Sequence, residues 1–397
     1  MWAGRHVVVG VTGGIASYKT CHLVRRLVEA GAEVDVVMTR AATEFVRPLV
    51  FEALSGRPVL TSLWEPDRAL AHVRLGQQAD LVIVAPATAD FLARLAHGMA
   101  DDFLSAMLLA RTAPALLAPA MNDEMYAAAP TQANLTLLAE RGYAFVGPEC
   151  GALAEGPSNR PGRMSEPETI LHYAARCLSR ISALRGRRVV VTAGPTREHL
   201  DPVRVITNPS SGKMGFRLAE AAWRRGADVV LISGPSAEPA PAGVTVHRIE
   251  TTAQLDGALR EALPTADVLI MAAAPADYRA AAPGDAKRPR QDGALHLELE
   301  PTVDILAGTR NLRRPGAVIV GFALETGSMV EKALAKLERK GLDLIVANDA
   351  LEPGAGFEVD TNRVVILEAG GRRTDVPLGS KAAIAEAILD RIEVRLG

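Results

Sequence analysis

The chain has 397 residues, of which 48% are hydrophobic and 23% are charged, and its formal net charge is −2 at pH 7. Two domains are expected, because this length exceeds one typical core. The low net charge gives no electrostatic basis for nucleic-acid binding. Three cysteines without a C-x-x-C spacing favour neither a disulfide framework nor a structural zinc site. Apolar runs too short to span a bilayer, and the lack of a signal-peptide pattern, predict a cytoplasmic protein without membrane contact.

Short β-branched runs alternate with helical patterns, which predicts an α/β fold of two Rossmann-like three-layer domains with mainly parallel sheets. In the first half, a helix is predicted at 17–31 and strands are predicted at 6–11, 33–39, 79–87 and 113–120. In the second half, strands are predicted at 187–195, 227–235, 244–250, 266–274, 317–323, 342–349 and 362–367, before a final helix after Ser380. The segment 165–187 predicts a helix and a basic connector, so we place the domains at 1–183 and 184–397.

Three stretches of the first half place glycine, small or polar residues where a strand ends. GVTGGIASYK (10–19) joins a strand to a helix through paired glycines, which let a phosphate approach the backbone and the free N–H groups of the helix. It is not G-x-G-x-x-G, so a dinucleotide site is disfavoured, and a tight turn without ligand is an equal alternative. APATAD (85–90) and PAMNDEMY (119–126) follow the next strands, where ligands bind in open α/β sheets.

These three stretches, together with His72-Val-Arg-Leu, resemble the flavin-dependent cysteine decarboxylases over about residues 4–170. Without the other motifs, a lone histidine such as His72 would more often be structural. The resemblance implies a flavodoxin-like domain that binds FMN, with cofactor contacts at Gly13, Gly14, Ser17, Thr39, Thr88 and Ser105. It implies His72 as a catalytic group, and Asn122 and Met125 as residues that hold the substrate carboxylate.

The implied chemistry solves the problem of an unactivated carboxylate, which leaves slowly because the resulting carbanion has no electron sink. Oxidation of the thiol-bearing carbon to a thioaldehyde, which FMN supplies, lets the electrons of the broken C–C bond flow into sulfur. The resulting enethiolate is then protonated and reduced. An imidazole near neutrality suits the proton transfer.

The segment ALAEGPSNRPGRM (152–164) departs from this family, whose substrate-covering flap carries a proton-donating cysteine. Glu155 occupies the expected cysteine position, whereas the closing Gly-Arg-Met fits and places Arg163 and Met164 against the substrate. Three alternatives remain open. Glu155 donates the proton, since a carboxyl under a closed flap holds a proton more readily; Cys150 reaches the site instead; or decarboxylation is impaired. We favour Glu155 because its position matches, although a solvated loop acid is a serious alternative.

In the second half, ITNPSSGKMG (206–215) contains Ser-Gly-Lys but lacks the P-loop spacing G-x-x-x-x-G-K-[ST]. Serines and a glycine at a predicted helix start suit an anion, although a plain capped helix is the simpler alternative. This stretch and five others resemble the phosphopantothenate–cysteine ligases over about 186–395: AGPTREHLDPV (193–203), MAAAPADYR (271–279), GFALET (321–326), AKLERKGLDLIVAND (335–349) and GFEVDTN (356–362). Both halves together resemble the bifunctional decarboxylase/ligase family of coenzyme A synthesis.

The ligase family joins L-cysteine to 4′-phosphopantothenate through an acyl cytidylate made from CTP, because a nucleotide phosphate leaves more easily than a carboxylate oxygen. The resemblance implies that Asn208 handles the acyl intermediate and that Lys287 stabilises charge on the phosphates. It implies that Asp277 binds CTP or its Mg²⁺. Further substrate or nucleotide contacts are implied at Ser210, Ser211, Gly212, Ala273, Val303, Asp304, Ile305, Leu306, Phe322, Lys336 and Lys340. For the two lysines, a solvated basic helix face is the alternative.

The ligase match is incomplete at 287–290 and 301–306, which affects loop geometry and nucleotide affinity rather than the reaction class. The resemblance also implies homo-oligomers, with flavin domains in trimers whose sites lie between subunits and ligase domains in pairs, giving a dodecamer. The expected partners are 4′-phosphopantothenate, L-cysteine and CTP. Two alternatives to the full bifunctional enzyme are a ligase with an impaired flavin domain and a non-catalytic flavin-binding regulatory subunit.

Overall fold

The computed structural model describes residues 2–64, 70–179, 182–287, 289, 295–325, 327–349, 356 and 359–397. The chain divides into two compact units, Met1–Ser179 and Arg180–Gly397. Parts of three ligase motifs lie outside the described residues, namely Arg288, Arg290, Thr326, Phe357 and Glu358. None of the described helices combines the length and the apolar character needed to cross a bilayer.

In the first unit, five of the described strands form a parallel sheet in the order β2-β1-β3-β4-β5, which is the flavodoxin-like order. The strands are β1 (His6–Val11), β2 (Glu33–Met38), β3 (Leu81–Ala87), β4 (Ala115–Pro119), β5 (Ala144–Phe145), and an antiparallel pair β6 (Glu149–Cys150) and β7 (Pro161–Arg163). The helices are α1 (Ser17–Glu29), α2 (Pro48–Ser55), α3 (Ala71–Gln78), α4 (Ala89–Ala96), α5 (Phe103–Ala110), α6 (Asp123–Ala127), α7 (Ala129–Glu140) and α8 (Pro167–Leu178), with a 3-10 helix at Arg40–Glu44.

Helices cover both faces of this sheet because side chains alternate along each strand. Val7 and Val9 of β1 pack in a core that includes Leu23 of α1. Val8 points to the other face and packs in a second core that includes Leu92 of α4 and Leu104 of α5. The predicted first-half strands and the predicted helix agree with β1 to β4 and α1 to within two residues at each end.

In the second unit, eight described strands form one sheet in the order β12-β11-β8-β13-β16-β17-β18-β19. The strands are β8 (Arg188–Ala193), β9 (Arg197–His199), β10 (Val205–Thr207), β11 (Asp228–Ser233), β12 (Thr245–Arg248), β13 (Val268–Met271), β14 (Tyr278–Ala280), β15 (Leu299–Pro301), β16 (Val318–Glu325), β17 (Leu344–Asp349), β18 (Thr361–Glu368) and β19 (Arg373–Ser380). The helices are α9 (Lys213–Arg224), α10 (Thr252–Ala262), α11 (Ile305–Gly308), α12 (Met329–Lys340) and α13 (Lys381–Leu396).

This second sheet is parallel from β12 to β17 and antiparallel from β17 to β19. The predicted strands agree with β8, β11, β12, β13, β16, β17 and β18 to within three residues at each end. The final helix begins as predicted, since the Ser380 side chain accepts a hydrogen bond from the Ala383 N–H. Sequence reasoning missed β19, which is a polar edge strand without a buried run.

A polar cluster stabilises the amino-terminal end of the first sheet. His6 Nε2 lies 2.6 Å from Asp35 Oδ2, and Arg57 Nε donates to Asp35 Oδ1 at 2.7 Å. The hydrogen bond to Asp35 raises the pKa of His6 above its usual value, against the opposing effect of burial. Burial raises the pKa of Asp35, but hydrogen bonds from His6 and Arg57 outweigh it and lower that pKa overall.

We predict that His6→Gln destabilises the first unit most between about pH 4 and pH 6.5. A raised histidine pKa contributes stability that is fully present below the unfolded value and is lost as pH rises through the folded value. A lowered aspartate pKa contributes stability that is present above its unfolded value and is lost as pH falls through the folded one. The expected cost is about 1.5 kcal/mol, as for a hydrogen bond to a charged group.

Unfolding midpoints across this pH range check the prediction, with His22→Gln, a change at an exposed histidine of α1, as the control. A destabilisation by His6→Gln that grew as the pH rose above 7 would contradict the assigned pKa directions.

Candidate functional sites

A cavity of about 1210 Å³ lies at the carboxyl ends of β1, β2, β3 and β4. Ligands bind at this edge of open parallel sheets, next to the point where the strand order reverses. The lining brings together eight of the residues predicted from sequence: Gly13, Gly14, Thr39, Thr88, Asn122, Met125, Glu155 and Arg163.

The paired-glycine turn after β1 is packed too tightly for a larger residue at its first position. A Cβ at Gly13 would lie 2.4 Å from Ala41 Cβ, whereas one at Gly14 would lie 3.4 Å from Thr88 Cγ2. Thr12 Oγ1 donates to the Pro86 carbonyl at 2.7 Å, which ties this turn to the one after β3. At the start of α1, the buried Ser17 hydroxyl has no hydrogen-bond partner among the described residues. Because a buried polar atom normally has a partner, this hydroxyl at the positive end of the α1 dipole suits an anion.

Polar residues at the ends of the other strands are fixed as helix caps. The Thr39 side chain accepts from Ala42 N–H at 3.3 Å, and the Thr88 side chain caps α4 by accepting from Phe91 N–H at 3.4 Å. Asn122 Oδ1 accepts from Glu124 N–H at 2.9 Å, which leaves its Nδ2 free to act on another group. These caps hold the side chains at the cavity edge.

The segment between β6 and β7 forms a flap that contributes residues 152–155 to the lining. Asn122 Nδ2 donates to Glu155 Oε2 at 2.6 Å, so two predicted catalytic residues are in direct contact. Ser158 Oγ donates to Asp123 Oδ2 at 2.5 Å, which further attaches the flap to the loop after β4. Cys150 is exposed and is not among the described lining residues. The geometry therefore places the Glu155 carboxylate, and not the Cys150 thiol, at the cavity.

Four predicted residues lie outside the described lining of this cavity. Ser17 is buried at the start of α1, and Met164 is buried in the core. Ser105 is buried in α5, where its N–H donates to Asp102 Oδ1 at 2.8 Å. His72, on α3, packs edge-on against Phe103 with ring centroids 6.1 Å apart, and its buried Nδ1 has no hydrogen-bond partner in the part of the chain that the structure describes. Their predicted roles stay predictions.

Sequence reasoning predicted the charged lining residues Glu155 and Arg163 but missed others, among them Lys19 and Arg94. Lys19 Nζ donates to Glu166 Oε1 at 2.9 Å and to the Met164 carbonyl at 3.1 Å. The hydrogen bond from Lys19 lowers the pKa of Glu166. Arg94 pairs with Asp102 at 3.1 Å. The sequence did contain a signal for Lys19, since this basic residue is the last one of the glycine-turn motif GVTGGIASYK.

In the second unit, the opening motif of the ligase resemblance lies beside the carboxyl ends of β8 and β13. Asn208 Nδ2 donates to the carbonyls of Ala274, at 3.2 Å, and of Pro275, at 3.0 Å. Ser210 N–H donates to the Asn208 carbonyl at 2.8 Å. Gly212 precedes α9 with φ +81°, and a Cβ there would lie 3.1 Å from Gly194 N. This close approach holds the start of α9 against the turn after β8.

Other ligase predictions converge on the same edge of the sheet. Ser236 Oγ donates to the Ser211 carbonyl at 2.6 Å. The Ala273 N–H donates to Thr192 Oγ1 at 3.0 Å, which ties the ends of β13 and β8. Asp277 is exposed, and its carbonyl accepts from Thr302 N–H at 2.9 Å. These contacts place Ala273 and Asp277 in the loops that follow β13.

Helix α12 presents the two predicted lysines to neighbouring predicted residues. Lys336 Nζ donates to the Phe322 carbonyl at 2.9 Å, and Lys340 forms an ion pair with Asp304. Asp304 caps α11 by accepting from Ala307 N–H. Ile305 and Leu306 of this helix are buried, whereas Val303 before it is exposed. Burial lowers the pKa of Lys336, and the nearby Glu325 opposes that effect.

Two of the predictions for the second unit concern the side chain of Lys287 and a bound magnesium ion. Lys287 is exposed and forms no hydrogen bond or ion pair with any described residue. Within the described residues, no group of three or more His, Cys, Asp or Glu side chains is placed to hold a metal ion. A magnesium ion would therefore need oxygen ligands from a bound phosphate beside Asp277, which is how Mg²⁺ commonly binds.

We predict that Gly13→Ala destabilises the first unit by about 1–3 kcal/mol, as for an overpacked site. Gly14→Ala is the matched control, because its added Cβ makes only an ordinary contact. Unfolding midpoints of the two variants test this, and equal effects would contradict the packing assigned to the turn.

Comparison with known proteins finds families and relatives whose similarity covers nearly the whole chain, beyond the motifs themselves. Residues 1–179 match the flavoprotein family, and residues 184–395 match the DNA/pantothenate metabolism flavoprotein C-terminal domain. The coenzyme A biosynthesis bifunctional protein CoaBC of Escherichia coli (strain K12) is 46% identical, covering 99% of this chain and 98% of its own length.

CoaBC of Bacillus subtilis (strain 168) is 43% identical, covering 99% of this chain and 97% of its own length. The crystal structure of the C-terminal domain of a CoaBC protein covers 54% of this chain and 98% of its own, at 39% identity and a TM-score of 0.46. The family predicted from the motifs is thereby confirmed: the chain belongs to the CoaBC family of bifunctional coenzyme A biosynthesis proteins.

Proposed function

We propose that residues 184–397 ligate L-cysteine to 4′-phosphopantothenate with CTP, and that residues 1–183 decarboxylate the product to 4′-phosphopantetheine. The family assignment supports both activities on one chain. The observation that carries the proposal is the Glu155–Asn122 contact within a cavity of about 1210 Å³. At this position the carboxyl group of Glu155 can act as a proton donor, and the amide of Asn122 can hold the substrate carboxylate beside it.

The cavity fits FMN by its own features. Gly13, Gly14 and the unpartnered hydroxyl of Ser17 offer a place for the phosphate, with Thr39 and Thr88 at the neighbouring strand ends. Bound FMN supplies the two-electron oxidation and reduction that decarboxylation of a thiol substrate needs. Ser105 lies further along, within α5, and its proposed contact to the cofactor rests on the family resemblance.

The protein's own residues orient and protonate the substrate. Asn122 and Met125 hold the carboxylate that is lost, and Arg163 and Met164 close the flap on the remainder of the molecule. Glu155 donates a proton to the carbon from which CO₂ leaves, because its carboxyl group lines the cavity beside Asn122. The flap shields this step from water.

His72 lies outside the described lining in a single chain. A homo-oligomer with sites between subunits, which the family resemblance implies, would let His72 act at a neighbouring chain's cavity. We therefore propose that the flavin domains form trimers. With paired ligase domains, as the family resemblance implies, this gives a dodecamer. We also propose a cytoplasmic location without nucleic-acid or membrane partners.

In the ligase half, Ser210, Ser211 and Gly212 hold a phosphate at the start of α9 while Asn208 positions the acyl intermediate. Lys287 stabilises the charge that develops as pyrophosphate leaves. Asp277 binds the CTP or its Mg²⁺, since one carboxylate with substrate phosphates suits that ion. Further nucleotide contacts come from Ala273, Phe322, Lys336, Lys340 and the segment 303–306.

We predict that Glu155→Gln lowers decarboxylation of 4′-phosphopantothenoylcysteine by about 100-fold or more while FMN stays bound. The amide preserves the shape and the hydrogen-bonding capacity but cannot donate a carboxylic proton. Mass spectrometry of 4′-phosphopantetheine and CO₂, in assays without CTP, checks the result.

Cys150→Ser is the control for this experiment and is expected to retain near wild-type turnover. Loss of turnover in Cys150→Ser, with Glu155→Gln active, would instead assign the proton to the thiol. A wild-type protein with ligase activity but no decarboxylation would contradict the proposed function of the first unit.

We predict that Lys336→Met raises the KM for CTP about 10-fold near pH 7, as expected from loss of a charged hydrogen bond. A lysine with a lowered pKa is charged below that pKa and loses its charge as the pH rises through it. The wild-type KM for CTP should therefore rise at alkaline pH, and Lys336→Met should remove much of that rise.

Arg339→Gln, a change at an exposed position of the same helix, is the control for nonspecific loss of positive charge. Steady-state ligase kinetics, measured from near pH 7 into the alkaline range, give the KM for CTP of each variant and its change with pH. Equal KM values for the Lys336 and Arg339 variants would contradict a contact between Lys336 and the nucleotide.

A further inference from the structure

The proposed decarboxylation brings two phosphate monoesters to the first unit, one on FMN and one on the thiol substrate. Each carries a charge of about −1.5 to −2 near pH 7. Backbone N–H groups and the Ser17 hydroxyl at the start of α1 bind a phosphate through partial charges only. A cationic side chain of the cavity is the natural source of a full positive charge.

The cavity lining contains four such cations among the described residues: Lys19, Arg40, Arg94 and Arg163. Glu166 accepts from Lys19 at 2.9 Å and also forms an ion pair with Arg163. Arg94 pairs with Asp102 at 3.1 Å and with Asp101. Arg40 makes no ion pair with any described residue. Among the described lining residues, Arg40 is therefore the one cation that pairs with no carboxylate at all, whereas Lys19 and Arg163 share Glu166.

The backbone around Arg40 is fixed beside the glycine turn. Thr39 N–H donates to the Val11 carbonyl at 3.0 Å, which joins the end of β2 to the end of β1. Ala41 packs directly against Gly13, where an added Cβ would lie 2.4 Å from Ala41 Cβ. Arg40 stands between these two anchored residues, and its exposed side chain lines the cavity.

Resting on the proposed function, we propose that Arg40 binds a phosphate monoester in this cavity. A guanidinium group matches phosphate oxygens with two parallel hydrogen bonds, and it stays charged at all relevant pH values. Glu44 also lines the cavity but does not form an ion pair with Arg40, so it leaves the guanidinium free for an anion. The 5′-phosphate of the flavin nucleotide and the 4′-phosphate of the thiol substrate share this chemistry.

The experiment compares Arg40→Gln with Arg47→Gln in the full-length protein. Arg47 is an exposed arginine of the same segment that is not among the described lining residues, so it controls for lost surface charge. Dissociation constants for FMN and riboflavin are measured on flavin-free protein. KM values are measured for 4′-phosphopantothenoylcysteine and for the same substrate without its phosphate. Arg40→Lys tests whether a positive charge alone restores binding, and thermal unfolding midpoints confirm that each variant is folded.

Loss of one charged hydrogen-bonding group should weaken the affected phosphate ligand about 10- to 100-fold. Weaker FMN binding with unchanged riboflavin binding supports the proposal and identifies the flavin phosphate. A higher KM for the phosphorylated substrate alone supports it and identifies the substrate phosphate. In both cases Arg40→Lys should recover part of the loss.

Arg40→Gln values equal to those of Arg47→Gln for all four ligands would overturn the proposal, as would equal losses for ligands with and without phosphate. A wild-type protein that neither binds FMN nor decarboxylates the substrate would be a different failure. That result would refute the proposed function itself, and the assignment of Arg40 would fall with it.

Discussion

Close packing between a glycine turn and the neighbouring strand end is the constraint on which both candidate sites depend. In the first unit, Gly13 lies so close to Ala41 that only hydrogen fits between them. In the second unit, Gly212 approaches the backbone of Gly194 in the same way, with φ +81°. Each contact holds the start of a helix against the carboxyl edge of a parallel sheet. The positive end of that helix dipole then faces a defined place for an anion.

Local structure, such as helix caps and contacts between loops, fixes the positions of the polar residues at both candidate sites. Thr39, Thr88 and Asn122 each cap a helix that begins where a strand ends. Asn122 uses its carbonyl oxygen for this cap, so its amide nitrogen is left to contact Glu155. In the ligase unit, Asn208 uses its amide to join two loops. Each of these side chains thus contributes to the local fold as well as to the role proposed for it at the site, and changes at these positions are expected to affect both.

Local sequence patterns predicted the buried strands because apolar, β-branched runs are a local signal. They missed β6 and β7, which are two and three residues long, and the polar edge strand β19. The turn motifs predicted which loops form the sites, since the carboxyl ends of parallel strands meet at one edge. The contacts within those sites are not local.

Asn122 and Glu155 are 33 residues apart, and Lys19 and Glu166 are 147 residues apart. No spacing rule predicts such pairs, because they depend on how the flap folds back on the sheet. The family resemblance supplied Glu155 as a candidate through its position in the flap, but not its partner. It also suggested His72, whose location on α3 could not be read from its own segment.

The central claim is that one chain performs ligation and decarboxylation in sequence. The most direct test gives the purified protein 4′-phosphopantothenate, CTP and cysteine labelled in its carboxyl group, and follows all products by mass spectrometry. We predict that labelled CO₂ and unlabelled 4′-phosphopantetheine appear together, with one CO₂ for each CMP. Accumulation of labelled 4′-phosphopantothenoylcysteine without labelled CO₂ would contradict the account, because the flavin unit would then not act on the ligase product.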